Sequence, residues 1–224
     1  RLDGAQGKDT LIGGDGNDIL YGGLDEDTLF GDVGDDVLYG GDGDDTLMGG
    51  IGQDFLEGGR GDDVLEGGIG NDVMSGSDGH DVMNGGDHDD ELHAGFGNDT
   101  VVGGNGHDVI TGGDGDDALF GDRGHAALIE DKQLADADFT YSPGNDVISG
   151  GMGNDIIDGE GGHDVLNGDD GEDVMFGGDG DDRLDGGIGD DQLSGGFGND
   201  NMIGGDGYDR LWGDDGFDTM VGGI

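Results

Sequence analysis

The chain has 224 residues, 60 of them Gly, and sets 56 Asp and Glu against seven Lys and Arg for a formal charge of −49. Seven scattered cations cannot make the clustered phosphate contacts that nucleic acid requires, which excludes DNA and RNA partners, and the absence of cysteine removes disulfides and thiolate metal sites. No apolar run is long enough for a membrane span and no charged-then-apolar leader opens the chain, so a soluble chain is expected; its charge density demands disorder, high salt or many bound cations.

From Gly4 the sequence repeats with a period of nine, beginning GAQGKDTLI, GGDGNDILY, GGLDEDTLF, GDVGDDVLY, GGDGDDTLM and GGIGQDFLE. Fourteen units run to GDRGHAALI at Gly121–Ile129, the eleven residues Glu130–Thr140 break the frame, and nine more units run from YSPGNDVIS at Tyr141 to GDDGFDTMV, ending at Val221. The expected division is therefore residues 1–129, an interrupting loop at 130–140, and residues 141–224, the two repeat segments belonging to one solenoid.

Two places in the unit hardly vary. The eighth is aliphatic or Met throughout, as in Leu11, Leu20, Leu29, Met74, Val101, Ile110, Leu211 and Met220. The sixth is Asp in twenty-two of twenty-three units: Asp9, Asp18, Asp27, Asp36, Asp45, Asp54, Asp63, Asp72, Asp81, Asp90, Asp99, Asp108 and Asp117 before the break, and Asp146, Asp155, Asp164, Asp173, Asp182, Asp191, Asp200, Asp209 and Asp218 after it, with Ala126 the exception.

The first six places carry glycines with Asp or Asn and should turn, because Gly permits positive φ and close backbone approach. The last three favour β structure and should form a short strand whose middle side chain is buried. One such strand cannot bury its side chain alone, so strands must stack. Two strands and two turns make an eighteen-residue coil, and the expected architecture is an all-β parallel β-roll, or β-helix, about 55 Å long. A helix is ruled out by glycine every few residues, each costing roughly 1 kcal/mol against alanine.

In that geometry Asp9 sits over Asp27 and Asp18 over Asp36, giving columns of carboxylates that repel unless cations lie between them. Carboxylates beside carbonyl-rich glycine turns suit calcium, a hard cation with a flexible oxygen shell, better than magnesium, zinc or copper. If each site bridges a loop to the one two units on, fourteen units give 14 − 2 = 12 sites and nine give 9 − 2 = 7, so about 19 ions and +38 are expected against −49.

Gly-Gly-x-Gly-x-Asp followed by x-aliphatic-x, as in GGDGNDILY at Gly13, GGDGDDTLM at Gly40 and GGFGNDNMI at Gly195, resembles the repeats-in-toxin (RTX) signature over about nine-tenths of the chain. The resemblance implies a right-handed β-roll whose calcium sites are made by Asp carboxylates and loop carbonyls of adjacent coils. It also implies a bacterial protein exported by one-step, type I secretion, unfolded at low calcium inside the cell and folded outside or at the cell surface.

Several residues depart from the pattern. Asp25 and His88 replace the fourth-place glycine, so their loops are expected to be distorted or differently ligated, and the unit with Ala126 is expected to bind no ion. The interruption is read as an excursion that rejoins the roll; the alternative, carried by helix-compatible Ala126–Ile129 and Leu134–Ala135, is that it divides two independently capped rolls. His80, His107, His125 and His163 stand at the variable fifth place and read as tolerated substitutions; His93, at an outward ninth place, has no evident partner. Tyr21, Phe30, Tyr39, Phe120, Phe176 and Trp212 also occupy ninth places, where cross-strand packing is favoured over ligand binding and Tyr21 should stack on Tyr39. No catalytic pattern is present, and the chain is read as a non-enzymatic calcium module. The alternatives are a subunit that self-associates end to end as an adhesin, surface layer or filament, through bare strands at Arg1–Leu2 and Gly222–Ile224, and the accessory module of a secreted enzyme.

Overall fold

The computed structural model describes residues 1–122 and 143–223. The expected unit Gly121–Ile129 beyond its first two residues, Ala126, His125, the interruption Glu130–Thr140, and Tyr141 and Ser142 lie outside the described residues.

Among those residues twenty-three strands, from Leu2–Gln6 to Thr219–Val221, alternate between two parallel sheets of 12 and 11 strands. Every neighbour in a sheet is the strand two along in sequence, and the register advances by one coil: Leu2 faces Leu20, Leu20 faces Leu38, and Leu11 faces Leu29. The molecule is a parallel β-solenoid of about eleven turns. Its single core runs along the axis, where the eighth-place residues from Leu11 and Leu20 through Met74, Met83, Ile110 and Ile148 to Leu193 and Met202 are buried together with Ala94. Each fully buried Leu, Ile or Met stabilises the fold by roughly 1.5–3 kcal/mol relative to exposure.

The strands are longer than the side-chain pattern predicts. Most span six residues, as in Ile19–Leu24 and Thr28–Val33, and so continue from the seventh place through the first, second and third places of the following unit. Main-chain pairing depends on coils lying in register, and it persists where the Gly-Gly pair has no side chains to alternate. At Gly70 the chain takes φ +144°, and a Cβ there would run into the carbonyl of Gly52 one coil earlier, so only glycine fits.

The outward faces behave as expected at one point: Tyr21 and Tyr39 stack with centroids 5.1 Å apart and 11° between planes, and Phe55 tilts against Tyr39 at 5.8 Å. Trp212 stands opposite Ser194 in its ladder and is 48% exposed. His93, expected to lack a partner, has one: its Nε2 lies 3.0 Å from Glu91 Oε1, two residues back on the same outward face.

The frame break leaves the ladders unbroken. Val109–Asp114 pairs directly with Val147–Met152, Ile110 facing Ile148, and Ala118–Phe120 pairs with Ile156–Asp158. The step there is 38 residues where the neighbouring steps are 18, an excess of 20. Ala118–Phe120 and Ile156–Asp158, the two paired strands beside it, span three residues each where most span six.

Candidate metal centre

The short triplet places each sixth-place Asp at the point where the glycine-rich turn meets the strand, and the coil stacks these residues into two columns. Along both columns the main-chain N–H of one Asp donates to Oδ1 of the Asp one coil later. Asp9 donates to Asp27 at 2.8 Å, Asp18 to Asp36 at 2.7 Å, and so on to Asp200 and Asp218 at 3.1 Å. There are twenty such steps among the described residues, including Asp108 to Asp146 and Asp117 to Asp155 across the frame break. All twenty-two Asp residues expected from the sequence therefore lie in these columns. From Asp27 to Asp200 they are buried, while Asp9, Asp18, Asp209 and Asp218 are partly exposed.

The second oxygen is the informative one. Oδ2 is buried without a hydrogen-bond partner in Asp9, in every column residue from Asp27 to Asp200, and in Asp209. It is turned towards the first-place residue of its own unit, where a main-chain carbonyl of the next coil also arrives. A Cβ built on Gly22 would lie 2.5 Å from Asp27 Oδ2 and 2.6 Å from Gly40 O; on Gly40 it would lie 2.5 Å from Asp45 Oδ2 and 2.6 Å from Gly58 O. A carboxylate oxygen and a carbonyl oxygen, both acceptors, thus converge beside the same α-carbon, and the carboxylate oxygen has no donor to serve it. Buried charge in that state is costly, and it is relieved only by a proton or a cation.

The protonation equilibria respond accordingly. Burial, opposed by the main-chain hydrogen bond and reinforced by neighbouring carboxylates, pushes Asp63 and Asp108 up to about 7 and Asp90 and Asp146 up to about 8. Among the described residues no side-chain cation pairs with a column Asp. Lys8 pairs with Glu26, Arg60 bridges Asp42 at 3.5 Å and Asp78 at 3.8 Å, and Arg183 meets Asp185 at 3.8 Å, all on outward places.

The donor set fits a hard cation. Among the described residues no three His, Cys, Asp or Glu side chains converge on one point. An ion here would be held by column carboxylates together with main-chain carbonyls, an all-oxygen set that suits calcium and does not suit zinc or copper. The two units without a fourth-place glycine keep this arrangement. Asp25 takes φ +74° and His88 φ +91°, and Asp27 and Asp90 retain their Oδ1 contacts.

The fifth place was read from sequence as merely variable, and it has a function in the structure. Its side chains accept the main-chain N–H of the fifth-place residue one coil later, in the direction opposite to the Asp columns. Asp35 donates to Asn17 Oδ1 at 3.2 Å, Gln53 to Asp35 Oδ1 at 3.1 Å, and Asp62 to Asp44 Oδ1 at 3.0 Å. Histidine does the same through Nδ1: Asn98 donates to His80 at 2.8 Å, Asn145 to His107 at 2.7 Å and Asp181 to His163 at 2.7 Å. The signal was available, since short acceptor side chains dominate this place along most of the chain.

The family model described as RTX calcium-binding nonapeptide repeat (4 copies) matches residues 3–38, 21–56, 39–74, 66–101, 93–126, 142–166, 158–193, 167–202 and 194–224. No curated protein matches the sequence. Among solved structures, a hyperactive, Ca2+-dependent, β-helical antifreeze protein from an Antarctic bacterium is similar at 22% identity with a TM-score of 0.45, over 98% of this chain and 74% of that one. With the repeat matched along nearly its whole length, the chain belongs to the RTX calcium-binding nonapeptide-repeat family.

Proposed function

We propose that this chain is a calcium-driven folding module of a secreted bacterial protein, in which each column Asp turns Oδ2 towards an ion shared with the neighbouring coil. The buried, partnerless Oδ2 atoms carry this reading. When bound, calcium supplies a double positive charge and a flexible oxygen shell. The chain's own residues do the rest. The Oδ1 contacts hold each carboxylate against the preceding coil, the first-place glycine leaves room for the second oxygen, and the glycine carbonyl of the next coil completes an acceptor pair.

Binding free energy becomes folding free energy in such an arrangement, because the columns exist only when the coils are stacked. Twenty Asp-over-Asp steps, continuous through the frame break, support about twenty ions, one more than separate counting of the two segments suggests. Export in an unfolded state and folding in extracellular, roughly millimolar calcium are what the family resemblance implies for such a module. No catalytic reaction is part of this reading.

The test is a calcium titration followed by far-ultraviolet circular dichroism and light scattering together, with titration calorimetry for the number of ions. A cooperative gain of β signal is expected, reversed by excess chelator. An unchanged spectrum in chelator would overturn the reading, and a parallel rise in scattering would reveal self-association.

A further inference from the structure

We infer that Asp122 is a positioning residue, a side-chain clasp that carries the roll, and with it the calcium column, across a twenty-residue insertion placed inside a single repeat. The register identifies the repeat. Gly121 and Asp122 continue the coil after Ala118–Phe120, and Gly144 and Asn145 continue it before Val147–Met152, so the structural unit is Gly121, Asp122 and Pro143–Ser149. Joined directly, those residues read GDPGNDVIS, a complete nonapeptide with Asp146 at its sixth place. The insertion thus enters between the second and third places of the turn.

Two hydrogen bonds of the regular turn are replaced at this coil. In the next coil along the same sheet, the third-place N–H of Asp179 donates to the second-place carbonyl of Glu160 at 2.7 Å, and the fourth-place N–H of Gly162 donates to the third-place carbonyl of Asp179 at 2.8 Å. At the insertion the corresponding donors turn to the Asp122 side chain: Gly161 N donates to Oδ2 at 3.1 Å and Gly144 N donates to Oδ1 at 2.9 Å. Asp122 is fully buried. One carboxylate therefore ties the departing strand to the point of re-entry and to the following coil. A residue with no acceptor could not do this: the buried Gly144 N–H would be left unmet, and Gly161 N–H would keep only its bond to Gly159 O at 3.0 Å. The consequence for binding is that Asp108 donates to Asp146 Oδ1 at 2.8 Å just as it would across an ordinary step.

The inference rests on the calcium-driven folding proposed above, and hydrogen exchange separates the two. Full-length protein, Asp122→Ala, the deletion of residues 123–142, and the deletion combined with Asp122→Ala are compared in saturating calcium by amide exchange and during calcium titration by circular dichroism. Loss of the charge-assisted hydrogen bond at Gly144, which has no other acceptor there, lowers the local closing equilibrium roughly 10- to 100-fold. In the full-length Asp122→Ala variant, Gly144 should exchange faster by that factor, Gly161 by less because its bond to Gly159 O remains, and the titration should split into two steps. In the deletion background, where the turn is closed covalently, the same substitution should leave a single transition.

A wild-type exchange rate at Gly144 in full-length Asp122→Ala would overturn the inference, and so would failure of the deletion protein to fold with calcium. If full-length Asp122→Ala does not fold at all, the double variant decides: folding supports the clasp, and failure overturns it. If wild-type protein ignores calcium, the proposed function falls, while the exchange comparison still judges Asp122.

Discussion

At the scale of single residues, the column Asp carries opposite duties on its two oxygens. Oδ1 is bonded and structural, and Oδ2 is buried and unpaired. Asp63→Asn replaces one oxygen with an amide, which removes a charge and an acceptor from one position. Calorimetry should count one or two fewer ions, with a higher calcium midpoint, while in chelator the variant should be no less folded than wild type at pH 7.

The pH dependence follows from the raised values, with Asp63 at about 7 and Asp90 and Asp146 at about 8 through burial and then like charge. A carboxyl whose folded value lies above its unfolded value binds more protons in the folded state, so its contribution is present at acid pH and is lost as pH rises through the folded value. Without calcium, lowering pH from 8 towards 5 should increase β signal. With calcium, protons and ions compete for the same oxygens, and the calcium midpoint should rise over that range. A chelated protein with flat ellipticity between pH 8 and 5 would contradict this.

At the scale of the strand and turn, each element contributes one core side chain and three inter-coil devices: main-chain pairing, the Asp column, and the opposed fifth-place ladder. A single core truncation should therefore be felt locally. Leu56 is fully buried. Leu56→Ala should cost about 2–5 kcal/mol in calcium-saturated denaturant unfolding, the usual range for a cavity in a packed core. A loss below 1 kcal/mol would mean that neighbouring coils close over the gap.

Strained turns are supported in the same local way. Asp169 and Asp214 take positive φ at the second place, and each accepts a hydrogen bond from a serine one coil earlier, Ser149 and Ser194.

At the scale of the molecule, every coil touches only its neighbours, so stability is a sum of coil and interface terms and cooperativity depends on the strength of coupling between coils. The formal charge of −49 opposes compaction throughout. Magnesium tests whether charge alone suffices. Its small, rigid octahedral shell matches carbonyl-rich loops poorly, so magnesium at the same concentration should fail to produce the β signal that calcium produces. Equal folding in both would show that the columns need only diffuse screening.

The nine-residue period by itself determined the coil of eighteen, the eighth-place core and the sixth-place columns, because a periodic chain has one way to stack identical strands in register. The tertiary structure decided what periodicity cannot encode. Which Asp oxygen is bonded and which is left bare depends on where the neighbouring coil's N–H groups lie. The fifth-place acceptors acquire their role only once a later coil presents a donor. The frame break resolves into a 38-residue step held by Asp122, because the choice between ending the roll and bridging the gap is made by main-chain donors at Gly144 and Gly161, far from Asp122 in sequence and beside it in space.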